Sequence, residues 1–219
     1  MIQFLFGAPR ITIDSNTHVI IDGNSIYSNI GGEPMDIALS RTPPFLDSGC
    51  SYSNLAVSGQ TWTQMRASGS DVDGAYVDGK LNILIAGETT NEAWLTNKTE
   101  QEIWDVASGY FDDRRTAHPD LKTVICGSLP FWGAPNNNTA RNQTMLGFDQ
   151  LMRDNWRSFV DGKVDYHRTD LPWFNHDGSL ITYFEAYEEL WADQYLHPNT
   201  DGKMTMAEAI ANVVKRMPI

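Results

Sequence analysis

A serine follows the first strongly apolar segment of the chain, and a histidine lies near the chain's end. Ser25 comes shortly after the apolar residues 19–21 in "VIIDGNSIYS", within a Gly-Asn-Ser turn. His197 lies in "DQYLHPNTDG", four residues after Asp193. A histidine oriented by a carboxylate can take the proton of a serine hydroxyl, which turns the serine into a nucleophile. Each feature alone is also typical of an ordinary turn, so the interpretation depends on whether the fold brings them together.

Other residue types that could carry chemistry give little support to metal or nucleotide sites. The histidines lack the spacing of a zinc site, and Walker, dinucleotide and GxSxG fingerprints are absent. The acidic segment "SDVDGAYVD" at 70–78 is similar to a calcium loop, but it lacks the full ligand pattern and the terminal glutamate. We therefore expect no metal site.

Length, charge and cysteine usage narrow the class of protein. A chain of 219 residues is long enough for one domain that buries its own core. The formal net charge of -12 disfavours nucleic acid as a partner, because phosphates require a basic surface. We expect no membrane span and no signal peptide, since neither an apolar run of sufficient length nor a basic leader is visible. Cys50 and Cys126 make no disulfide framework, and Cys126 lies in an apolar run typical of a buried thiol.

Apolar segments alternate with amphipathic ones along the chain. Continuous apolar strands suit a parallel sheet that helices cover on both faces, with functional groups at the carboxyl ends of the strands. Thr99 and Glu102 form a capping box that predicts the start of a helix. The predicted strands are 17–22, 52–57, 79–87, 121–129 and 163–168, and further helices are predicted in 144–160, in part of 179–196 and in 200–217.

Four short motifs occur in an order that matches a known family. They are Ser25 in "IDGNSI", Gly59 in "NLAVSGQT", Asn91 in "AGETTNEAW" and His197 in "DQYLHPNTDG". This ordered set resembles the four sequence blocks of the SGNH hydrolases, also called the GDSL esterase/lipase family. We therefore interpret residues 1–18 as an N-terminal extension and residues 19–219 as a single SGNH-like hydrolase domain.

The resemblance implies a fold and a mechanism. The fold would be a three-layer α/β/α domain with a mostly parallel, flavodoxin-like sheet. The reaction would be ester hydrolysis through an acyl-enzyme, with Ser25 as nucleophile, His197 as general base and Asp193 orienting the histidine. The oxyanion hole would consist of the backbone N–H groups of Ser25 and Gly59 and the side-chain amide of Asn91. The resemblance implies no metal and no organic cofactor.

The motifs depart from the family's pattern at three positions. Asn24 stands where Gly-Asp-Ser has its aspartate. In the third block, Gly-x-Asn-Asp, counting from Gly87 places Thr89 at the asparagine position, whereas counting back from "TTNEAW" places Asn91 there. We prefer Asn91, because a side-chain amide can donate to an oxyanion. One extra residue separates Asp193 from the histidine, so another group is an alternative partner for the imidazole.

The substrate is less defined than the reaction. Members of the family cleave acetyl groups from carbohydrates, small esters, thioesters or lipids. Trp62, Trp132 and Trp173 lie in predicted loops, where they would either form a platform for stacking on a sugar or simply pack inside the domain. We favour a carbohydrate O-acetylesterase that acts on a small-molecule or glycan ester. The alternative is a catalytically impaired SGNH-like module that binds a glycan, and the oligomeric state stays open.

Overall fold

The protein is built on a parallel sheet. This computed structural model describes residues 11–41, 46, 49–129, 139–166, 191–193 and 197–218. The strands of the main sheet are β1 (Thr17–Gly23), β2 (Ser51–Asn54), β3 (Leu81–Gly87), β4 (Lys122–Cys126) and β5 (Gly162–Val164). Their order is β2-β1-β3-β4-β5, and every neighbouring pair is parallel. This order is that of a flavodoxin-like doubly wound sheet, as predicted.

Helices cover both faces of this sheet. They are α1 (Met35–Ser40), α2 (Trp62–Ala67), α3 (Ser70–Ala75), α4 (Thr90–Leu95), α5 (Glu100–Ala117), α6 (Thr139–Asn155) and α7 (Thr200–Val214). The predicted capping box is confirmed, because the Thr99 side chain accepts from the Glu102 N–H and the Glu102 side chain accepts from the Thr99 N–H. The predicted helix at 144–160 begins earlier, at Thr139, and ends at Asn155.

The alternation of side chains along each strand separates the core into two layers. Val19 and Ile21 of β1 pack on one face with residues of α1 and α7. Ile20 packs on the opposite face with residues of α2, α5 and α6. Both faces of the strand are therefore buried, which explains why its sequence is a continuous apolar run rather than an alternating one.

A second, two-stranded sheet precedes α7. It consists of β6 (Trp191–Asp193) and β7 (His197–Pro198), which pair antiparallel with Asp193 opposite His197. Within the segment 179–196, predicted to be helical in part, residues 191–193 form β6, whereas residues 179–190 and 194–196 lie outside the described residues. The last predicted helix is confirmed as α7.

The structure bears on three further interpretations of the sequence. The acidic segment at 70–78 forms α3 over its first residues, and the described part of the chain contains no group of three or more ligating side chains that could hold a metal. Cys126 is a buried free thiol, as predicted, and burial raises its pKa to about 12. None of the helices described here has the length and apolar character needed to cross a bilayer.

Candidate active site

Ser25 lies just beyond β1, at the carboxyl edge of the sheet. The strand is buried along its whole length and ends at Gly23. A Cβ atom at Gly23 would lie 2.7 Å from the carbonyl oxygen of Gly87 and 2.7 Å from the ring of Tyr27. Only glycine fits there, so the chain can leave the sheet close to the end of β3.

A set of local hydrogen bonds holds the turn that carries the serine. The Asn24 side-chain oxygen accepts from the Ile26 N–H at 2.9 Å. The backbone carbonyl of Asn24 accepts from the N–H groups of Tyr27 and Ser28 at 3.1 and 3.2 Å. The Ser28 hydroxyl donates to the Ser25 carbonyl at 3.0 Å. Ser25 itself is only 8% exposed, so this turn holds it in a largely buried position.

His197 approaches this turn from the C-terminal part of the chain. Its Nε2 lies 3.0 Å from the Ser25 Oγ. His197 belongs to β7, and α7 begins three residues later with Asn199 as its N-cap, whose side chain accepts from the Gly202 N–H at 3.0 Å. The cap fixes the start of α7 and, with it, the strand that presents the imidazole.

Two close contacts fasten α7 to the segment that follows Ser25. A Cβ atom at Gly32 would lie 2.6 Å from the carbonyl carbon of Asn199 and from the nitrogen of Thr200, so the two backbones touch. The Lys203 ammonium donates to the Ser28 carbonyl. Lys203 is fully buried, and burial lowers its pKa to about 8. The serine turn and the histidine-bearing element therefore form one packed unit.

The predicted oxyanion segments meet at the same edge of the sheet. Gly59 has a φ of +80°, in the left-handed region that favours glycine, and lies in a turn closed by the Gln60 N–H and the Val57 carbonyl at 3.1 Å. The Val57 N–H donates to the Gly23 carbonyl at 2.9 Å, which attaches this turn to the end of β1. The Asn91 side-chain amide donates to the Gln60 carbonyl at 3.0 Å. Asn91 thus contacts the turn that contains Gly59.

Comparison by sequence and comparison by structure give different results. No family model and no curated protein sequence matches the chain. A structure named as a GDSL-like lipase from Parabacteroides merdae superposes with a TM-score of 0.67 at 16% identity, covering 94% of this chain and 99% of that chain. A member of the lipolytic protein G-D-S-L family from Veillonella parvula gives 0.65 at 14% identity, with 92% and 100% covered. The psychrotrophic esterase EstA from Pseudoalteromonas sp. gives 0.59 at 13% identity, with 90% and 96% covered.

The chain has the SGNH hydrolase fold. Within this fold, Asp193 is placed by its backbone alone, opposite His197 in the β6–β7 pair. Its side chain lies outside the described part of the structure, so its role as the partner of the imidazole stays a prediction.

Thr89 is the alternative residue for the third block of the SGNH fold. It is the N-cap residue of α4, and its hydroxyl accepts from the Trp62 indole N–H at 3.3 Å. Trp62 is fully buried in α2 and packs against the ring of Tyr110 at a centroid distance of 5.8 Å. The prediction that Trp62 lies in a loop is therefore wrong, and its indole is unable to stack on a sugar; Trp132 and Trp173 lie outside the described residues.

A buried carboxyl group at this edge of the SGNH fold was missed by the sequence interpretation. Glu88 directly follows β3, is 2% exposed and accepts hydrogen bonds from the Asn24 side chain and from backbone N–H groups. Burial raises the pKa of Glu88 to about 8, while the hydrogen bonds it accepts act in the opposite direction. A glutamate directly after an apolar strand, at the edge where α/β proteins place their functional groups, is the sequence signal that could have revealed it.

Proposed function

We propose that the protein is a serine esterase that hydrolyses carboxylic esters through an acyl-enzyme. The observation that carries the proposal is the 3.0 Å contact between the Ser25 Oγ and the His197 Nε2 at the carboxyl edge of an SGNH fold. This distance is within hydrogen-bond reach, which general base catalysis requires.

The reaction follows from the chemistry of these two groups. The Ser25 Oγ attacks the ester carbonyl while the His197 Nε2 takes its proton, and the resulting imidazolium gives that proton to the leaving alkoxide as the C–O bond breaks. A water molecule then attacks the acyl-enzyme while the imidazole accepts its proton, and the imidazolium returns that proton to the Ser25 Oγ as the bond between this oxygen and the acyl carbon breaks and the carboxylic acid leaves. Asp193 would orient the imidazole and stabilise its charged form during both steps.

The negative oxygen of each tetrahedral intermediate requires donors. In the proposal these are the backbone N–H groups of Ser25 and Gly59 and the side-chain amide of Asn91. A primary amide carries two hydrogens, so Asn91 is able to hold the Gln60 carbonyl with one and donate the other to the oxyanion. The hydrogen bond to Gln60 would fix the direction of the second N–H before the substrate arrives.

The structural neighbours support an ester hydrolase over other reactions. Their names describe a lipolytic protein, a GDSL-like lipase and an esterase, and the Pseudoalteromonas esterase is described as inhibited by monoethylphosphonate. Phosphonates react with activated serines, so this inhibitor class provides a direct test for the present chain.

For the substrate, we propose a short acyl ester, and specifically a carbohydrate O-acetyl ester. A small cleft lies beside the serine turn, lined in part by Ile26, Thr89 and Leu129, and its small size supports a short acyl group. The formal net charge of -12 is compatible with a neutral glycan substrate.

Hydrolysis of chromogenic 4-nitrophenyl esters tests the reaction, and acetylated oligosaccharides test the substrate class. We expect the wild type to release acetate from both, with activity falling as the acyl chain lengthens from acetate to octanoate, and we expect Ser25→Ala to be inactive. A wild type that binds glycans but hydrolyses none of these esters would contradict the proposal and favour the glycan-binding module.

A further inference from the structure

We propose that Glu88 is a positioning residue that holds the three segments of the oxyanion hole in register with one another. The inference rests on the proposed esterase function, and it assigns a role to a side chain that the family motifs leave unspecified. Glu88 is not expected to touch the substrate; it acts through the groups that it binds.

The first carboxylate oxygen joins the serine turn to α4. The Glu88 Oε1 accepts from the Asn24 side-chain amide at 3.1 Å and from the Asn91 backbone N–H at 2.6 Å. Asn24 immediately precedes Ser25, whereas Asn91 supplies the predicted side-chain donor of the oxyanion hole. One oxygen atom therefore fixes the distance between the nucleophile and that donor.

The second carboxylate oxygen joins α4 to the segment that contains Gly59. The Glu88 Oε2 accepts from the Trp62 N–H at 3.2 Å and from the Glu92 N–H at 3.3 Å. Trp62 is the first residue of α2 and lies three residues after Gly59. The same carboxyl group thus holds the beginnings of two short helices, each next to a predicted oxyanion donor.

All four donors are satisfied when Glu88 is ionised, and they oppose the effect of burial, which raises its pKa to about 8. Its two oxygens offer about four acceptor sites, which matches the four N–H groups directed at Glu88. A glutamine would turn an NH₂ group toward at least one of these N–H donors and push it away. The arrangement also explains the departure at residue 24: an aspartate there would place a second carboxylate against Glu88, whereas Asn24 supplies a donor.

Glu92 provides a matched control, because it connects the same two helices without reaching the serine turn. Its side chain is buried and accepts from the Thr63 N–H at 3.1 Å, from the Thr63 hydroxyl at 2.7 Å and from the Lys98 ammonium. Replacing Glu92 with glutamine should loosen the contact between α2 and α4 and leave the Asn24 contact in place.

The experiment compares Glu88→Gln with Glu92→Gln in 4-nitrophenyl acetate hydrolysis, with the melting temperature of each variant measured alongside. We expect Glu88→Gln to lower kcat by about 10²-fold, the loss that a displacement of about 1 Å can produce, with KM within about twofold of the wild type. Glu92→Gln should keep kcat within about threefold of the wild type, although its melting temperature falls at least as far, because its ion pair with Lys98 is also lost. Equal losses of kcat in the two variants would reduce Glu88 to a general structural role and overturn the inference.

Exchanging the amide at position 24 and the carboxylate at position 88 tests the contact between these two side chains. This test stays informative if one of the single variants folds poorly. Asn24→Asp should strongly lower kcat, because two carboxylates then face each other at about 3 Å. In the double variant Asn24→Asp/Glu88→Gln the introduced amide donates to the introduced carboxylate, and we expect at least about tenfold recovery of kcat over Asn24→Asp. Absence of recovery would contradict the inference.

Two outcomes separate the Glu88 inference from the proposed function. A wild type without esterase activity would contradict both. An active wild type together with a Glu88→Gln variant of unchanged kcat would contradict the Glu88 inference alone.

Discussion

Serine and histidine side chains are in contact at both ends of β1, and the surroundings of the two sites differ. At the carboxyl end, the His197 Nε2 is 3.0 Å from the Ser25 Oγ. At the amino end, the Nδ1 of His18 is 2.8 Å from the Ser51 Oγ and its Nε2 is 3.2 Å from the Ser53 Oγ. Hydrogen-bond distance between a serine and a histidine is therefore not enough to identify a nucleophile.

The surroundings of the two contacts separate a candidate site from a structural one. Ser51 and Ser53 belong to β2, where the backbone pairs with β1, and each occupies one ring nitrogen of His18. Ser51 also accepts from the Lys80 ammonium at 3.0 Å. Burial, and next the positive charge of Lys80, lower the pKa of His18, which makes it a poorer base. Ser25, in contrast, lies on a turn at the edge where α/β proteins place their functional groups.

The largest expected difference is covalent reactivity toward a fluorophosphonate. We expect wild-type protein to gain the mass of one adduct at Ser25, because His197 activates that hydroxyl alone. Ser25→Ala and His197→Ala should abolish the adduct and lower kcat by about 10⁴-fold or more. Ser51→Ala, the matched control, should be labelled like the wild type. Peptide mapping that places the adduct on Ser51 or Ser53 would reverse the assignment of the two contacts.

Asp193 is expected to have the next largest effect. Since Asp193 lies opposite His197 in the β6–β7 pair, we expect its carboxylate to hold the imidazole in the tautomer that accepts the serine proton. Asp193→Asn should then lower kcat by about 10⁴-fold, as loss of the correct tautomer does in other Ser-His-Asp enzymes. Steady-state kinetics measure this effect, and a loss under about tenfold would leave a Ser25–His197 dyad supported by another group.

A smaller effect is expected for the oxyanion donor. Asn91→Ala should lower kcat by about 10² to 10³-fold with little change in KM, because the donor is used mainly in the transition state. Thr89→Ala should have a mild effect, since the Thr89 hydroxyl contacts the buried Trp62 indole. If kinetic constants show Thr89→Ala to be the more damaging change, the third block has been aligned wrongly.

The smallest expected effect concerns stability at the amino end of β1. The lowered pKa of His18 means that, below pH 6.5, the unfolded chain binds a proton that the folded protein does not yet bind. Stability contributed by neutral His18 is therefore complete above pH 6.5 and decreases as the pH falls toward the lowered value. Urea unfolding of wild type and His18→Gln from pH 7 to 5 should show a steeper loss of stability in the wild type, with ester hydrolysis at pH 7 unchanged in the variant. Parallel curves would contradict this.

The parts of the fold that were predictable are those encoded locally. β1 and β3 are continuous apolar runs, and α5 begins with a complete capping box, so their sequences alone indicate them. The helices α2 and α4 have six residues each, too few for a clear amphipathic pattern, and Glu88, 26 positions away, holds the first N–H of α2. The sequence interpretation missed two local signals: the capping box of Thr61 and Gln64 at α2, and Glu88 two residues before α4.

The residues of the candidate site also divide into those that the sequence indicates and those that only the folded chain brings together. The order of the four motifs brought Ser25 and His197 to attention, and the structure places their side chains in contact. Glu88 was missed because two of its donors come from residues 24 and 62, which approach it only in the folded chain. Trp62 was assigned to a loop although a capping box of Thr61 and Gln64 starts α2 there, and its burial depends on aromatic rings from α5 and α6.

The contact between Ser25 and His197 joins residues that are 172 positions apart in the chain. Closing a loop of that length has an entropic cost that must be met by the packing of the sheet and of α7 before the two side chains can meet. During refolding from denaturant, secondary structure and burial of the strands should therefore recover before ester hydrolysis does. The same separation means that a ribosome-bound chain lacks this contact until β7 has emerged, so the proposed ester hydrolysis would report folding that extends as far as this strand.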